Sequence, residues 1–595
     1  MPEPNYQPHM PEPARRRPGT RRRDPVPEVE REIVVLKFGS SILASEAHIA
    51  NAVHEVYREV RAGRRVVVVC SAMGDTTNRL ISRAGEITDK PHPAAYAALL
   101  AVGESQSSAQ VALAIDAAGL HTTLLDPAQI DFRTSGDPVD AEPAAMDPDP
   151  ITRALAEGAV VVLPGFAGRD ERGFTTLLGR GGTDLSALFI AHHIGAARCR
   201  LAKDVDGWYD GDPKSPTGAR KFACLHYEDA IASPAKVVQP KCVRYACDHR
   251  LPIEVGALGS DLPTVVCADP TLKVDDPPAS GPIRVALLGL GTVGGGVMRH
   301  LLALPARYEV VRVLVRDTAR HADKLADASI LTGDPGDAFA GDPELVVEVI
   351  GGTTLAGELV GRALAEGRSV VSANKALIAA EGVRLRALAD EHNAKLAYSA
   401  AVGGGVPMLE NLALLAGEHE INSIVGVLNG TTNFILDHIA RGSSYEHALE
   451  EAKRLGFAEA DPTADVGGHD AAQKLCLLCR LAFDPDLPID AVEVSGIDHL
   501  AGDASEPGRG MVRRLVARAS RTDDGGVFAR VSLEEVPEGS ELAQVRDEHN
   551  LVIVRLADGR RALVGGRGAG RWPTAESVFG DVEAYARARM QAARE

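Results

Sequence analysis

Aromatic side chains are scarce in this chain of 595 residues: they make up 4% of it, although hydrophobic residues make up 45%. Such a composition suits α/β layers rich in alanine, valine and leucine, and the length is enough for about three to five domains. Long apolar runs are missing too, and none approaches the roughly 20 residues that a helix needs to cross a bilayer. We therefore expect a multidomain α/β protein without membrane partners.

Positive charge is in deficit, since the formal net charge is −18. This excludes a broad nucleic-acid-binding surface. Eight cysteines are scattered along the chain without a secretory signal, which predicts reduced thiols and a cytoplasmic location. Cys476 and Cys479 form a C-x-x-C pair within an apolar helical run and without a second pair, so core packing is favoured over zinc.

The first 30 residues are rich in proline and arginine. No apolar segment follows the arginines, which argues against a secretory or twin-arginine signal. Glu3, Glu12 and Asp24 also fit poorly in a transit peptide. The composition predicts a disordered basic tail over residues 1–30.

Residues 456–476, GFAEADPTADVGGHDAAQKLC, place four acidic side chains ahead of one lysine: Glu459, Asp461, Asp465, Asp470 and Lys474. Apolar residues recur at helical spacing from Gly468 onward, so Asp470 and Lys474 are expected on one helix face. An ammonium held by a carboxylate can protonate a forming alkoxide, and carboxylates can hold a substrate ammonium. An ordinary helix salt bridge is the alternative, and this stretch alone does not decide between them.

A dinucleotide-binding pattern opens the second half of the chain. The strand Ile283–Leu288 leads into a G-x-G-x-x-G turn and then a predicted helix through Leu304. The predicted cofactor contacts in this turn are Gly289, Gly291, Thr292, Val293 and Gly294. The glycines allow a tight turn and let backbone approach a pyrophosphate at the helix N-terminus.

Residues at three later strand ends extend the predicted cofactor site. Arg316 follows the strand 309–315 and favours the 2′-phosphate of NADP, while Asp317 leaves NAD open. The strands 345–350 and 369–372 lead to Thr353 and to Asn374 and Lys375, at the cofactor edge of a doubly wound sheet.

The first half of the chain also reads as a parallel α/β sheet. A buried strand Ile33–Phe38 runs into Gly39-Ser40-Ser41, a helix is predicted over 46–61, and a second strand covers Arg65–Cys70. Small residues at strand ends let backbone N–H groups approach phosphate, and a lysine such as Lys37 can neutralise it. No G-x-x-x-x-G-K-[ST] motif is present, so this is not a Walker P-loop.

Residues 32–267 resemble the aspartate kinase catalytic domain of the amino acid kinase fold. The resemblance rests on the joint order of Lys37–Ser41, Gly103–Ser105, Arg133-Thr134, Pro164–Phe166, Leu178–Asp184, Lys203–Tyr209 and Ala235–Pro240. It implies ATP with Mg²⁺ and aspartate as substrates. Lys37 would hold the transferring phosphoryl group and Glu104 the substrate ammonium. Arg180 would clamp a carboxylate, Asp184 would orient the site, and Ser41 would keep a hydroxyl where the family has threonine.

Several residues depart from the kinase pattern. Ser40 replaces the family's second glycine, Lys203 replaces a threonine and Gln239 replaces a histidine. The alternative is therefore a degenerate kinase fold kept as a binding or scaffold module. A short linker leads directly into the next domain, where the family usually has paired regulatory ACT modules, so no inhibition by threonine or lysine through such modules is expected.

Residues 283–595 resemble homoserine dehydrogenase. The matching pieces are Gly289–Gly294, Ala373–Leu377, Gly403–Pro407, Leu428–Asn433, Glu459–Lys474, Gly568–Gly570 and Pro573–Ala575. The resemblance implies NAD(P)-dependent interconversion of aspartate 4-semialdehyde and homoserine. Lys474 would donate the proton, Asp470 would position it and the substrate, and Glu459 would bind the substrate ammonium. Lys375 would lie between nicotinamide and substrate, and Gly570 would contact the cofactor.

A monovalent-cation site in this family uses backbone carbonyls, here those of Val402, Gly404 and Val406, and a nearby glutamate. Ser399 stands at the place of that glutamate. The resemblance therefore implies weak cation binding or none.

The two resemblances together imply a fused aspartate kinase and homoserine dehydrogenase, acting between aspartate and threonine or methionine. By family analogy they also imply a homodimer or higher homo-oligomer. The fold class is an amino acid kinase-type α/β domain, then a Rossmann domain and an α+β catalytic domain. The expected boundaries are 1–30 (tail), 31–268 (kinase-like), 269–282 (linker), 283–405 (Rossmann), 406–565 (catalytic) and 566–595 (returning to the cofactor domain).

Overall fold

The computed structural model describes residues 29–212, 219–274, 281–323, 325–455, 457–458, 461–500, 507–547, 549–568 and 571–592. Two predicted site residues, Glu459 and Gly570, lie outside these ranges, as do residues 1–28 of the predicted tail. Among the described helices, none combines the length and the apolar character needed to cross a membrane.

The first half forms a nine-stranded sheet in the order β13-β10-β12-β11-β9-β1-β2-β6-β3, beside a four-stranded sheet in the order β5-β4-β7-β8. The strands are β1 Ile33–Phe38, β2 Arg65–Cys70, β3 Thr122–Leu124, β4 Arg133–Asp137, β5 Asp140–Ala145, β6 Val160–Pro164, β7 Ala167–Arg169, β8 Thr175–Leu177, β9 Arg198–Ala202, β10 Lys221–His226, β11 Ile253–Gly256, β12 Thr264–Cys267 and β13 Leu272–Val274. The helices are α1 Ile49–Arg61, α2 Thr76–Ile87, α3 Pro93–Ala117, α4 Asp149–Ala156, α5 Gly182–His193, α6 Tyr227–Ala232 and α7 Pro240–Asp248.

The centre of this sheet is parallel. β1 pairs with β9 on one side and β2 on the other, and β2 pairs with β6. β1, β2 and β6 are largely apolar and buried along most of their length, which is typical of parallel strands whose two faces are covered by helices. Their carboxyl ends meet at one edge, where Lys37 lies beside the ends of β9 and β2.

The second domain has a parallel six-stranded sheet in the order β16-β15-β14-β17-β18-β19. Its strands are β14 Ile283–Leu288, β15 Tyr308–Leu314, β16 Leu331–Thr332, β17 Leu345–Glu348, β18 Ser369–Ser372 and β19 Leu396–Ala397, and its helices are α8 Thr292–Ala303, α9 Ala319–Ala322, α10 Thr354–Ala365 and α11 Lys375–Glu391. The strand order reverses direction at β14, so the turn after β14 lies at the switch point where doubly wound sheets bind dinucleotides.

The third domain is a mixed six-stranded sheet in the order β21-β23-β22-β20-β24-β25, packed against helices. Its strands are β20 Ile421–Val427, β21 Glu493–Val494, β22 Met511–Arg521, β23 Val527–Pro537, β24 His549–Leu556 and β25 Arg561–Arg567, and its helices are α12 Met408–Glu418, α13 Gly430–Ala440, α14 Tyr445–Leu455, α15 Thr463–Val466, α16 His469–Ala482 and α17 Glu541–Gln544. A last helix, α18 Arg571–Ala592, packs against α8 of the dinucleotide domain.

Two ends of the kinase-like half differ from the sequence expectation. Leu272–Val274, within the predicted linker, pair antiparallel with β10 as β13 and so extend the kinase-like sheet. Val29, within the predicted tail, is buried in the core of the catalytic domain, and its N–H donates to the Arg561 carbonyl at 3.0 Å. In both places tertiary pairing overrides a polar, proline-rich local composition.

The two halves of the chain are packed closely together. α1 of the kinase-like domain lies against α18, and the turn that follows α3 lies against β25. The Gly119 carbonyl accepts a hydrogen bond from the Arg567 N–H at 2.9 Å. A Cβ added at Gly566 would lie 2.4 Å from that carbonyl oxygen, so backbone meets backbone here.

Candidate active sites

The predicted lysine and aspartate pair forms on α16. This helix begins after Gly468, whose φ of +81° suits glycine, and carries Asp470 in its first turn. Lys474 Nζ lies 2.9 Å from Asp470 Oδ2 and donates to the Leu428 carbonyl at 2.6 Å. Both side chains are buried. The helical spacing thus places one ammonium and one carboxylate side by side, as the sequence indicates.

A second ammonium joins this pair from the dinucleotide domain. Lys375 is the first residue of α11, at the carboxyl end of β18, and its Nζ is ion-paired with Asp470 Oδ1. Burial alone would raise the pKa of Asp470, but Lys474 and Lys375 outweigh it and hold the pKa below its usual range. The carboxylate therefore stays charged and holds the two ammonium groups together where the two domains meet.

Asn429 belongs to this cluster, although the sequence analysis gave it no role. It precedes α13, and its side-chain amide donates to Asp470 Oδ2 at 2.9 Å and to Asp465 Oδ1 at 2.7 Å. Burial raises the pKa of Asp465, although the hydrogen bond from Asn429 acts against this. The sequence feature that could have identified Asn429 was the run Leu428–Asn433, which is mostly polar and lies at the carboxyl end of a buried strand.

The glycine turn between β14 and α8 is tight, and two of its positions have no room for a side chain. Gly289 has a φ of +105°, and a Cβ added to it would lie 2.9 Å from the Val349 carbonyl oxygen. A Cβ at Gly294 would lie 2.1 Å from the Gly289 oxygen, whereas one at Gly291 would meet nothing within 4 Å. Thr292 is exposed at the start of α8 and Val293 is partly buried, so the first turn of this helix is accessible beside the glycines, and helix N-termini can bind phosphate.

The remaining predicted cofactor residues follow neighbouring strands. The Asn374 side chain accepts from the Leu377 N–H at the start of α11 and donates to the Gly352 carbonyl at 2.6 Å. Thr353 is exposed immediately before α10, and Arg316 is exposed two residues after β15. These residues lie at the carboxyl edge of one sheet, with the glycine turn.

Glu348 was missed by the sequence analysis. It is fully buried at the end of β17, where its carboxylate accepts from the Ile350 N–H at 2.9 Å and from the Ser372 hydroxyl at 2.6 Å. The Glu348 carboxylate also accepts a hydrogen bond from the Gly351 N–H at 3.2 Å, and it therefore fixes the turn that follows β17. An acidic residue within an otherwise apolar strand was the sequence feature that could have identified Glu348.

The loop of the predicted cation site is held by protein groups. The Ser399 N–H and hydroxyl donate to Asp581 at 2.9 and 2.6 Å, and Arg61 donates to the Ser399 hydroxyl at 3.3 Å. The Val406 carbonyl accepts from the Met408 N–H at 2.7 Å. Weak cation binding remains a prediction.

Elsewhere in the described residues, Cys224, Cys267 and Asp269 lie close enough together to hold a metal ion.

The kinase-like half brings two lysines onto one carboxylate. Asp184, in the first turn of α5, lies 2.6 Å from Lys37 Nζ and 2.9 Å from Lys203 Nζ. Burial opposes its ionisation, but the two ammonium groups lower its pKa to about 2. Lys203, which departs from the family pattern, is thus part of the charged centre.

The other predicted kinase residues have different environments. Glu104 is buried in the middle of α3, and burial raises its pKa to about 8 although Lys37 acts against this. Ser41 and Arg180 are exposed in loops. The structure therefore brings Lys37 and Asp184 into contact and leaves Arg180 and Ser41 open to solvent.

The glycine turn and the lysine and aspartate cluster define a nicotinamide-dependent dehydrogenase, joined to a kinase-type α/β domain. The family models agree: residues 289–399 match "Homoserine dehydrogenase, NAD binding domain", 407–582 match "Homoserine dehydrogenase" and 32–256 match "Amino acid kinase family". The chain belongs to the homoserine dehydrogenase family and carries an amino acid kinase domain ahead of it. The predicted fold class and the predicted fusion are confirmed.

Individual relatives match the second half of the chain. The homoserine dehydrogenase of Corynebacterium glutamicum is 38% identical over 341 residues, which cover 53% of this chain and 75% of that protein. The homoserine dehydrogenase of Bacillus subtilis is 37% identical over 316 residues, with 51% and 72% covered. A crystal structure of a homoserine dehydrogenase from Thiobacillus denitrificans aligns with a TM-score of 0.49 and 35% identity, covering 52% and 75%.

Proposed function

We propose that this chain catalyses two reactions at separate centres. The second half reduces aspartate 4-semialdehyde to homoserine with NADPH, and the first half phosphorylates aspartate with ATP and Mg²⁺. The observation that carries the first reaction is the cluster of Lys375, Asp470 and Lys474, which joins the dinucleotide and catalytic domains. Asp470 and Lys474 are buried in it, and Lys375 is partly exposed. The carboxyl ends of the strands that support Lys375 and the glycine turn lie at the same edge of the sheet.

Lys474 is the proton donor in this proposal. When bound, the dinucleotide supplies the hydride. As the aldehyde carbon accepts it, the carbonyl oxygen becomes an alkoxide, and the Lys474 ammonium gives it a proton. Asp470 and the Leu428 carbonyl hold Nζ at 2.9 and 2.6 Å and set its direction. Glu459 would hold the substrate ammonium, as the family resemblance implies.

NADP is the proposed dinucleotide because Arg316 and Asp317 have different environments. Asp317 Oδ1 accepts from the Arg320 N–H at 3.2 Å and so closes the turn before α9. Arg316 is exposed beside it, at the position where an acidic residue or an arginine selects the ribose substituent. A guanidinium there suits the 2′-phosphate.

The kinase proposal rests on Lys37, Lys203 and Asp184. Phosphoryl transfer needs positioning and charge neutralisation more than a covalent catalyst. Two ammonium groups at the carboxyl edge of the central sheet supply positive charge where phosphate would lie, and Asp184 fixes both. Lys203 carries a charge that the family's threonine lacks, and this departure from the kinase pattern counts toward the scaffold alternative.

The second candidate is a kinase-like half that acts only as a scaffold for the dehydrogenase. The buried ion pairs between α1 and α18 favour the scaffold, since they serve assembly whether or not ATP is hydrolysed. The residues that depart from the kinase pattern also favour the scaffold, namely Ser40, Ile42, Lys203 and Gln239.

The deciding experiment is ATP turnover by the full chain with and without aspartate. We expect aspartate-dependent turnover that Lys37→Ala reduces to background, while homoserine oxidation by the same variant is retained. Lys453→Ala is the matched control, because Lys453 is paired with Glu450 on α14 in the catalytic domain. Absence of aspartate-dependent turnover in the unaltered chain would support the scaffold instead.

A further inference from the structure

Arg61 is the last residue of α1 in the kinase-like half, yet its guanidinium is buried among groups of the dehydrogenase half. One terminal nitrogen lies 3.1 Å from Glu410 Oε1 and donates to the Ser577 carbonyl at 3.3 Å. The other donates to the Ser399 hydroxyl at 3.3 Å and to Asp581 Oδ1. The Arg61 side chain is 12% exposed. A planar guanidinium is suited to this set of directed contacts.

The groups that Arg61 contacts belong to three elements of the dehydrogenase. Ser399 begins the 3-10 turn Ser399–Ala401, which follows the last strand of the dinucleotide domain. Glu410 lies in the first turn of α12, where the catalytic domain begins, and Asp581 lies on α18. Arg61 therefore holds the point at which the chain crosses from one dehydrogenase domain to the other.

The crossing point is in contact with the elements that carry the catalytic cluster. The 3-10 turn packs against α11, which begins at Lys375, and against α12. Both α11 and α12 pack against α16, which carries Asp470 and Lys474. A displacement of the turn would thus change the position of Lys375 relative to Lys474. Misplacement by about 1 Å can cost on the order of 10²-fold in rate.

Charge makes this contact costly to remove. Asp581 is buried, and so are the carboxylate oxygens of Glu410, whose side chain is otherwise partly accessible. Burial raises the pKa of Glu410 although Arg61 acts against this. Without the guanidinium, the carboxylates of Glu410 and Asp581 would share a buried site with less positive charge. Their repulsion would favour separation of the 3-10 turn from α12 and α18. The kinase-like half thereby supplies a cation on which the geometry of the dehydrogenase depends.

We propose that Arg61 is a positioning residue for homoserine dehydrogenation. It acts through Ser399, Glu410 and Asp581, and it aligns the two domains that enclose the nicotinamide and the substrate. The kinase-like half contributes in this way whether or not it transfers phosphate.

The experiment compares Arg61→Met and Arg61→Lys with the unaltered full chain in homoserine oxidation. We expect kcat to fall by about 10- to 100-fold in Arg61→Met, as expected for misaligned reacting groups. The dissociation constant of the dinucleotide, measured by fluorescence, should change less than about threefold, because the glycine turn makes the main contacts with the pyrophosphate. Arg61→Lys keeps one charge for folding but lacks the planar fork, so an intermediate kcat is expected.

Arg58→Met is the matched control. Arg58 is one turn earlier on α1 and is also buried in the interface, but it contacts Glu55, Asp261 and Glu583 instead of the crossing point. We expect this variant to lower the melting temperature and leave kcat within about twofold, since it does not touch the catalytic alignment. An equal loss of kcat in Arg58→Met, or an unchanged kcat in a folded Arg61→Met or Arg61→Lys, would overturn the proposal.

Discussion

His54 makes the stability of this chain dependent on pH at the interface between its halves. The imidazole is buried on α1, with Nδ1 2.8 Å from Glu576 Oε2 and Nε2 3.0 Å from Glu583 Oε2. Burial opposes protonation, but the hydrogen bonds and the charges of both glutamates outweigh it and raise the pKa of His54 to about 9. Glu576 is also contacted by His300 on α8 at 2.9 Å. We therefore expect a charged His54 to join α1 to α18.

The sign and size of the effect follow from this pKa. A group whose pKa is raised in the folded state stabilises that state fully below its unfolded pKa, and the contribution disappears as the pH rises through the folded pKa. The contribution is thus present below about pH 6.5 and lost above about pH 9. The difference between these values, at about 1.4 kcal/mol per pH unit, corresponds to roughly 3 kcal/mol.

The assay is urea unfolding of the full chain and of His54→Gln at about pH 6 and about pH 10, on either side of the transition. Groups that titrate in both proteins cancel when the two free energies of unfolding are subtracted at each pH. We expect the advantage of the unaltered chain over the variant to shrink by roughly 3 kcal/mol between the two pH values. An advantage that stays constant across this range would refute a protonated His54.

Two further variants test the dehydrogenase site. Lys474→Ala should lower kcat for homoserine oxidation by roughly 10²- to 10⁴-fold, because the proton donor is lost, and it should leave the dinucleotide affinity unchanged. Unchanged turnover would remove Lys474 from the mechanism. Arg316→Ala should raise KM for NADPH about tenfold or more and leave KM for NADH nearly unchanged, because only NADPH carries the 2′-phosphate. Equal effects on both dinucleotides in steady-state assays would argue against Arg316 as the selecting residue.

The parts of the site that the sequence predicts best are those encoded by local spacing. Asp470 and Lys474 are four residues apart, so a helical pattern is enough to pair them. The glycine turn follows a buried strand directly, and its three glycines have a local steric cause. These features need no knowledge of the tertiary packing.

Contacts between distant segments could not be predicted in the same way. Lys375 and Asp470 are 95 positions apart, and Arg61 and Ser399 are 338 positions apart. Neither pair leaves a periodic signal, because their meeting depends on how whole domains pack. Lys203 shows the same limitation, since as a departure from the family pattern it gave no indication that it would lie 2.9 Å from Asp184.

The turn at Gly119 in the kinase-like half is in direct backbone contact with the dehydrogenase half. Its carbonyl oxygen lies directly against the backbone of Gly566 and Arg567, in the strand that leads back to the cofactor domain. Gly405, near the start of the catalytic domain, is equally tight, since a Cβ there would lie 2.5 Å from the Ala118 carbonyl oxygen. The backbones of the two halves are therefore in direct contact. Neither half could be replaced by a homologous domain unless the contact surfaces of both were also changed.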